Sequence, residues 1–304
     1  MKVKKLKGVI PVLITPLNKN KSIDVIALKE LCNYYEREQK ISGVWILGTG
    51  AEDMCLSFKQ RLLVAETTTE AFSNNVIKLI GCSFFSPKES IEYIQNISSL
   101  EFDAYHAMPY HPKVSLKQIL SWYNLLADNC DKPLWAYTSG NWAQRMGPNF
   151  IAEVKKIPNI VGVKYSSSNT VDVQGAIELQ DDDFQVITAV VKTLYSSLCL
   201  GVSAATTVEA SAFYPEISNI FELFKSGDFD SAYNAQKHLN NSLLNYPSPA
   251  AKDNFLRIAE LKYLLSIQGI CKEYVTEFYR ELNENEKSDI LNWYKQNLHE
   301  RRTN

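Results

Sequence analysis

Residues 133–166 read PLWAYTSGNWAQRMGPNFIAEVKKIPNIVGVKYS. Two short apolar runs, 133–139 and 160–166, flank an amphipathic stretch at 147–157. Short runs rich in β-branched and aromatic residues predict strands, whereas the longer amphipathic stretch predicts a helix. A strand, a helix and a second strand in this order form a βαβ unit, in which the two strands pair in parallel. We therefore expect an α/β protein with a parallel sheet.

The same alternation extends over most of the chain. Six further runs predict strands, at residues 9–15, 43–48, 76–82, 104–110, 184–190 and 203–208. Six further stretches predict helices, at residues 26–39, 57–72, 87–100, 115–130, 171–180 and 193–200. Successive predicted strands are separated by the length of one βα unit. Eight such units predict a (βα)8 barrel, the TIM barrel.

A doubly wound parallel sheet would show a similar alternation. Such a sheet commonly carries a glycine-rich phosphate-binding turn after an early strand. Neither G-x-G-x-x-G nor G-x-x-x-x-G-K-[ST] occurs in the chain, so the barrel is favoured. After the eighth unit the pattern is helical, at residues 228–246, 253–268 and 286–301. We expect a barrel over residues 1–227 and a C-terminal three-helix extension over residues 228–304.

Composition excludes several classes of protein. The chain has 304 residues, 45% of them hydrophobic and 22% charged, which excludes disordered and collagen-like proteins. Its 32 basic and 34 acidic side chains are interspersed, so no basic surface for nucleic acid is expected. No run approaches the roughly 18 apolar residues of a membrane span. The first apolar run is broken by Pro11 and Pro16, and the six cysteines form no C-x-x-C pair, so a cytoplasmic protein without a metal cluster is expected.

Lys164 is the sharpest chemical signal in the sequence. In a (βα)8 barrel the active site lies at the C-terminal ends of the strands, and Lys164 ends the sixth predicted strand. Alternation places Val161 and Val163 on one face and Ile160, Gly162 and Lys164 on the other. If the valines face the helices, Lys164 points into the barrel, where burial would leave a neutral amine able to form Schiff bases. Alternatively, the strand ends at Val163 and Lys164 is a solvated lysine.

Two other strand ends carry polar side chains. Tyr137 ends the fifth predicted strand and therefore lies beside Lys164, where a phenol can transfer protons. Its alternative role is aromatic packing at the barrel mouth. Thr49 and Gly50 follow the second strand, where backbone N–H groups can approach an anion. A tight βα turn also favours glycine without any ligand.

The order of these strand ends resembles the dihydrodipicolinate synthase and N-acetylneuraminate lyase family of Schiff-base (βα)8 enzymes. The resemblance covers nearly the whole chain and is carried by residues 8–17, 48–52, 109–110, 137 and 160–164. It implies that Lys164 forms an imine with pyruvate or a related 2-oxo acid and that Tyr137 relays protons. It also implies that Thr49 and the backbone of Gly50 hold the carboxylate. The implied enzyme is a lyase that makes or breaks a C–C bond without a cofactor or a metal.

The chain departs from the family pattern at three places. Gly50 stands where the family usually has a second hydroxyl. In the synthases strand four ends Pro-Tyr-Tyr, and the second tyrosine enters a neighbouring subunit's site. Here His111 stands in its place, or Tyr110 serves after a one-residue shift. Trp142 occupies the place of an arginine that binds the second substrate's carboxylate in the synthases, and Arg145 is the only cation nearby.

The resemblance thus yields a set of candidate site residues. The expected catalytic residues are Lys164, Tyr137, Thr49, Tyr110 and His111. The expected substrate-binding residues are Gly48, Thr49, Gly50, Ser139, Trp142 and Ala205.

Three functions are consistent with this set. The first is a Schiff-base lyase or aldolase acting on pyruvate or a related 2-oxo acid. The second is 4-hydroxy-tetrahydrodipicolinate synthase, against which the missing arginine argues. The third is a catalytically weakened relative that binds a keto acid. The resemblance also implies a homo-oligomer, a dimer or a tetramer. The last predicted helix carries an apolar stripe with Ile290, Trp293 and Leu298, which we expect to be buried on the barrel or on a partner.

Overall fold

The computed structural model describes residues 4–138 and 142–299. Within these ranges eight parallel strands alternate with helices and form a (βα)8 barrel, which confirms the predicted fold class. The strands are β1 Gly8–Pro11, β2 Gly43–Ile46, β3 Ile77–Gly81, β4 Ala104–Ala107, β5 Leu134–Tyr137, β6 Ile160–Tyr165, β7 Gln185–Thr188 and β8 Ala204–Thr207.

Eight helices follow the strands in turn. They are α1 Val25–Asn33, α2 Phe58–Ala71, α3 Pro87–Ile97, α4 Leu116–Asn129, α5 Pro148–Lys155, α6 Thr170–Ile177, α7 Leu194–Cys199 and α8 Tyr214–Lys225. Ser57 and Ser115 begin α2 and α4 with capping boxes, and these two helices were predicted within two residues. The eighth helix was not predicted. It begins after Phe213, which provides no side-chain cap, although Pro215 and Glu216 in its first turn are start signals.

The strands join around the full circumference of the barrel. Each strand from β2 to β8 pairs in parallel with the next, and β8 pairs with β1 from Gly8↔Ala204 to Pro11↔Thr207. Between β1 and β2 the link is a single parallel bridge, Val12↔Trp45, with the Leu13 amide donating to the Trp45 carbonyl at 2.9 Å. This closure makes an enclosed interior that is distinct from the layer between strands and helices.

Two apolar clusters fill these two spaces. The interior cluster includes Trp45, Trp135, Tyr137 and Val161, whereas Val163 belongs to the larger cluster between strands and helices. The prediction that Val161 and Val163 share a face was therefore wrong. The register of β5 and β6 shifts between Leu134↔Ile160 and Trp135↔Gly162, and this irregularity turns Val161 inward. The irregularity precedes Gly162, so the inward orientation of Lys164 is kept.

Three helices follow the barrel, namely α9 Phe229–Asn245, α10 Ile258–Ile267 and α11 Glu284–Tyr294. The apolar stripe of α11 is buried within the chain itself. Trp293 contacts the rings of Phe213 and Tyr246, with ring centroids 6.1 and 4.8 Å away. This stripe therefore needs no partner subunit to cover it. The division of the chain at residues 227 and 228 stays a prediction. Within the described ranges, none of the helices is both long enough and apolar enough to cross a membrane.

Candidate active site

Lys164 lies inside the barrel at the C-terminal end of β6. Its exposed fraction is 3%, which excludes the alternative of a solvated lysine. The Nζ atom lies 4.1 Å from the centroid of the Tyr137 ring and 5.0 Å from that of the Trp45 ring. Burial lowers the pKa of Lys164 to about 7, although the negative charges of Glu209 and Asp53 oppose this shift. Over the part of the chain that the structure describes, no carboxylate lies within salt-bridge distance of Nζ.

Tyr137 is the neighbour of Lys164 across the β5–β6 ladder and begins a continuous hydrogen-bonded chain. Its hydroxyl lies next to the Thr49 side chain, which lowers the pKa of Tyr137 against the larger effect of burial, and Thr49 Oγ1 lies 3.1 Å from the hydroxyl oxygen of Tyr110. Tyr110 in turn donates to the carboxylate of Asp53, with O···O distances of 2.9 and 3.0 Å. All four side chains are buried. We call Tyr137, Thr49, Tyr110 and Asp53 the hydroxyl chain.

Burial raises the pKa values along the hydroxyl chain. The phenols of Tyr137 and Tyr110 are both desolvated, so their pKa values lie above the ordinary tyrosine range. Burial also raises the pKa of Asp53, whereas the positive charge of Arg61 and the Tyr110 hydrogen bond lower it. The phenols therefore stay protonated at neutral pH, and Asp53 is the member of the chain whose charge changes most readily.

The turn after β2 positions Thr49. Thr49–Ala51 forms a short 3₁₀ turn. A side chain on Gly50 would bring its Cβ within 2.7 Å of Val208 Cγ2, because the turn packs closely against the segment that follows β8. Gly50 is therefore required for packing, and the sequence alone did not separate this requirement from anion binding.

Trp45 and His106 line the interior next to Lys164, and sequence reasoning missed both. Their rings stack with centroids 4.1 Å apart. His106 Nε2 lies 2.8 Å from the Ile46 carbonyl, and burial holds the pKa of His106 well below its usual value, so the imidazole is neutral. Trp45 Nε1 and His106 Nδ1 are buried without a hydrogen-bond partner among the described residues. The alternation of β2 could have placed Trp45 inward, between outward Val44 and Ile46.

The structure separates the two candidates after strand four. Tyr110 reaches Thr49 of the same chain, whereas His111 packs against Phe85, with ring centroids 5.1 Å apart. The structure thus brings Tyr110, and not His111, to Thr49. Trp142 packs against the interior cluster and contacts the rings of Tyr110 and Phe255 at 5.4 and 4.8 Å.

One predicted binding residue lies outside the site. Ala205 belongs to the cluster between strands and helices, so the structure does not bring it to the site. Its neighbour Ala204 faces the interior, and alternation directs Thr206 the same way. The error arose because the last strand was predicted without knowing which of its faces was inward. Ser139 lies outside the described residues.

Arg145 and the three serines at positions 166–168 line a polar pocket. This polar pocket has a volume of about 400 Å³ and is lined by Thr138, Arg145, Met146, Tyr165, Ser166, Ser167, Ser168, Asn169 and Asp172. Tyr165 belongs to the outer cluster, and Lys164 is not among the described residues that line this pocket. Arg145 Nη2 donates to both carboxylate oxygens of Asp172, at 2.6 and 2.5 Å, so this cation is already paired. Among residues 4–138 and 142–298, this pocket included, no three metal-ligating side chains lie close enough together to hold an ion.

A buried lysine at the end of a barrel strand, beside a tyrosine of the neighbouring strand, defines a Schiff-base lyase of the (βα)8 class. The sequence model of the Dihydrodipicolinate synthetase family matches residues 5–296, and the chain belongs to this family. The family resemblance noted in the sequence is therefore confirmed, and the chain is a lyase.

Individual relatives show how far this similarity extends. The 4-hydroxy-tetrahydrodipicolinate synthase of Methanosphaerula palustris is 27% identical over 231 residues, covering 74% of this chain and 79% of that protein. The dihydrodipicolinate synthase structure from Bacteroides thetaiotaomicron has a TM-score of 0.88 at 23% identity and covers 97% of this chain and 100% of its own. The N-acetylneuraminate lyase structure from Mycoplasma synoviae has a TM-score of 0.86 at 20% identity, covering 96% and 98%. At these identities the two structures show a shared fold.

Proposed function

We propose that this lyase acts on pyruvate or a closely related 2-oxo acid through an imine on Lys164. The observation that carries the proposal is the burial of Lys164 in the barrel mouth without a carboxylate pair among the described residues. An unpaired buried ammonium is costly, and its neutral form is the nucleophile that carbonyl chemistry requires. If this side chain had only a packing role, an apolar residue would fill the space without the cost of desolvating an ammonium group.

Imine formation is the first step. The Nζ lone pair attacks the keto carbon, and a proton moves from nitrogen to oxygen. A second proton, from solvent, then lets this hydroxyl leave as water, which gives an iminium. The Tyr137 and Trp45 rings, whose centroids lie 4.1 and 5.0 Å from Nζ, favour a cation at this position. Burial therefore supplies the neutral amine before the reaction, and the rings stabilise the charge that the iminium acquires.

Bond cleavage then uses the iminium as an electron sink. The electron pair of the breaking C–C bond moves into the iminium and gives an enamine. The hydroxyl of the departing fragment loses its proton to Tyr137, which passes its own hydroxyl hydrogen on to Thr49. The same proton returns to the enamine carbon, and water hydrolyses the imine to release the 2-oxo acid and the amine. Thr49 and the backbone of Gly50 remain the proposed donors to the carboxylate. The reverse sequence makes the bond.

Two features bear on the alternatives. The family resemblance expects a synthase to carry an arginine for its second substrate's carboxylate where this sequence has Trp142, and the nearby Arg145 is bound by Asp172. These contacts favour a lyase whose second product lacks that carboxylate. A catalytically weakened relative would form the imine without turnover.

We further propose that the chain works as a cytoplasmic homo-oligomer, in keeping with the family. The exposed Phe85 beside His111 is a surface that a second copy could cover.

Exchange of the methyl hydrogens of pyruvate with D2O tests this proposal without knowledge of the second product. Each exchange requires an imine and an enamine, and NMR follows it directly. We expect the wild-type enzyme to catalyse exchange and Lys164→Met to abolish it while the far-UV CD spectrum is kept. Lys78→Met is the matched control, since Lys78 is also buried but lies at the opposite end of the barrel. Exchange by Lys164→Met at the wild-type rate would refute the proposal.

A further inference from the structure

The buried carboxylate of Asp53 has no part in the chemistry described so far. It lies in the turn after β2 and is 1% exposed. Its only described side-chain hydrogen bond is the one from Tyr110, and its nearest opposing charge is Arg61 on α2. Arg61 and the backbone amides of Met54 and Asp53 lower the pKa of this carboxylate, yet burial outweighs them, so keeping it ionised is costly. Such an arrangement suggests a role for the carboxylate beyond packing.

Counting hydrogens along the hydroxyl chain reveals that role. Each hydroxyl has one hydrogen to donate, and an ionised carboxylate only accepts. The single hydrogen of Tyr110 is therefore committed to Asp53, so the Tyr110 oxygen must accept from Thr49. Thr49 then has no hydrogen left, so its oxygen can only accept from the neighbouring Tyr137 hydroxyl. The Tyr137 oxygen is left with free lone pairs, which can accept a proton from a substrate.

We propose that Asp53 is a positioning residue whose carboxylate fixes the direction of every hydrogen bond in the hydroxyl chain and so makes Tyr137 a proton acceptor toward the substrate. The inference rests on the proposed function, because it assigns Tyr137 its direction of transfer. When Tyr137 takes a proton, one hydrogen shifts along each bond and the net proton arrives on Asp53. The reverse shift returns that proton to the enamine carbon.

The surroundings of Asp53 suit this exchange. Burial raises the pKa of Asp53, so its carboxylate accepts a proton more readily than an exposed one. The titratable groups that face it, from every element packed around it, are Arg61, Cys55, Tyr93, Tyr110, Tyr137, Lys164 and Tyr279. Arg61 is the one permanent cation in this set. Its guanidinium also donates to the Ser83 carbonyl at 2.5 Å and is held over the Phe84 ring.

Pyruvate methyl exchange with Asp53→Asn tests the proposal. The kcat for exchange reports on the enzyme with the imine already formed, so the titration of free Lys164 does not enter it. Loss of a hydrogen bond to a charged group predicts a fall in kcat of about ten- to a hundredfold, with KM nearly unchanged. In the wild type kcat should fall at acidic pH as Asp53 is protonated, at a pH above the ordinary aspartate range. We call this fall the acidic limb of the pH profile, and it should be absent from the variant.

Tyr110→Phe completes the experiment, since Asp53 is proposed to act only through Tyr110. The double variant should be no slower than Tyr110→Phe alone. If Asp53→Asn does not fold, Tyr110→Phe still reports on the same bond and should lose the acidic limb. Asp103→Asn, at the opposite end of the barrel, is the control and should leave exchange unchanged.

Two outcomes would overturn the inference. One is an Asp53→Asn variant that keeps the wild-type kcat and its acidic limb. The other is a double variant whose loss of kcat equals the product of the two single losses. Both presuppose that the wild-type enzyme exchanges pyruvate hydrogens and can be trapped as an imine. If the wild type does neither, the proposed function fails first, so the two failures are distinguishable.

Discussion

At the scale of single residues, Lys164 is subject to two opposing influences. Desolvation favours the neutral amine, and the charges of Glu209 and Asp53 favour the ammonium. Desolvation is the larger influence and brings the pKa from the ordinary 10.5 to about 7. An amine with this pKa is nucleophilic at neutral pH and can still be protonated when the reaction requires it.

The pH dependence of imine formation follows from this pKa. The neutral amine is the nucleophile, so the rate of imine formation with pyruvate should rise with pH and level off above about 7. Rapid mixing with pyruvate, followed by a borohydride quench at each pH, gives this rate. A rate that still climbs steeply above pH 9 would mean that Lys164 titrates like an exposed lysine, contrary to its burial.

Some residues of the site could be predicted from sequence and others could not. Lys164 and Tyr137 end adjacent strands, and register alone makes such residues neighbours. Asp53 could not be predicted, because its partner Tyr110 comes from a different loop and a carboxylate in a turn usually faces solvent. The choice between Tyr110 and His111 depended on a one-residue difference in backbone path, which no sequence pattern encodes.

At the scale of elements, the buried ion pair between Glu52 and Lys262 links the turn after β2 to the C-terminal extension. Glu52 adopts a left-handed backbone conformation, with φ of 60°, at the end of this turn. Its carboxylate pairs with Lys262 on α10, and both side chains are fully buried. The other carboxylate oxygen accepts from the amide and hydroxyl of Thr276, at 2.7 and 2.8 Å. Thr49 and Asp53, which flank this turn residue, are therefore positioned partly by α10.

Breaking this pair should destabilise the fold strongly. Glu52→Gln leaves Lys262 as a buried charge without a carboxylate, and the expected loss in the free energy of unfolding is about 3–5 kcal/mol. The double variant Glu52→Gln with Lys262→Met removes both charges and should recover part of that loss. Urea unfolding measures both quantities.

An exposed ion pair provides the control for this experiment. Lys29 and Glu70 lie 3.5 Å apart on the surface, with side chains 49% and 70% exposed. Replacing them with Met and Gln should cost less than about 1 kcal/mol. If Glu52→Gln costs no more than this surface change, the buried pair does not fasten the turn.

The elements themselves were mostly predictable, and the exceptions have physical causes. Strands with apolar alternation and helices with serine caps were found, because these signals are local. Helix α8 begins without a side-chain cap and was missed. The inward turn of Val161 depends on a register shift against a strand 26 residues earlier, from Leu134 to Ile160, so it cannot be read from β6 alone.

At the scale of the whole molecule, one chain carries the lysine, the hydroxyl chain and the turn that holds them. The C-terminal helices cover their own apolar stripe and support the turn after β2 through the Glu52–Lys262 pair. The family's fold is kept, and Trp142, which stands where the resemblance expects a synthase's arginine, contacts the rings of Tyr110 and Phe255. The barrel supplies the buried lysine of a Schiff-base lyase, and we expect its loops to select the second product.

Borohydride trapping with pyruvate, read by intact mass and peptide mapping, tests the central claim most directly. Reduction of the imine makes a permanent bond, so the modified residue is identified without any assay of turnover. The account predicts one reduced pyruvyl adduct per chain, located on Lys164 and absent from Lys164→Met. An adduct on another lysine, or none with pyruvate and longer 2-oxo acids, would contradict it.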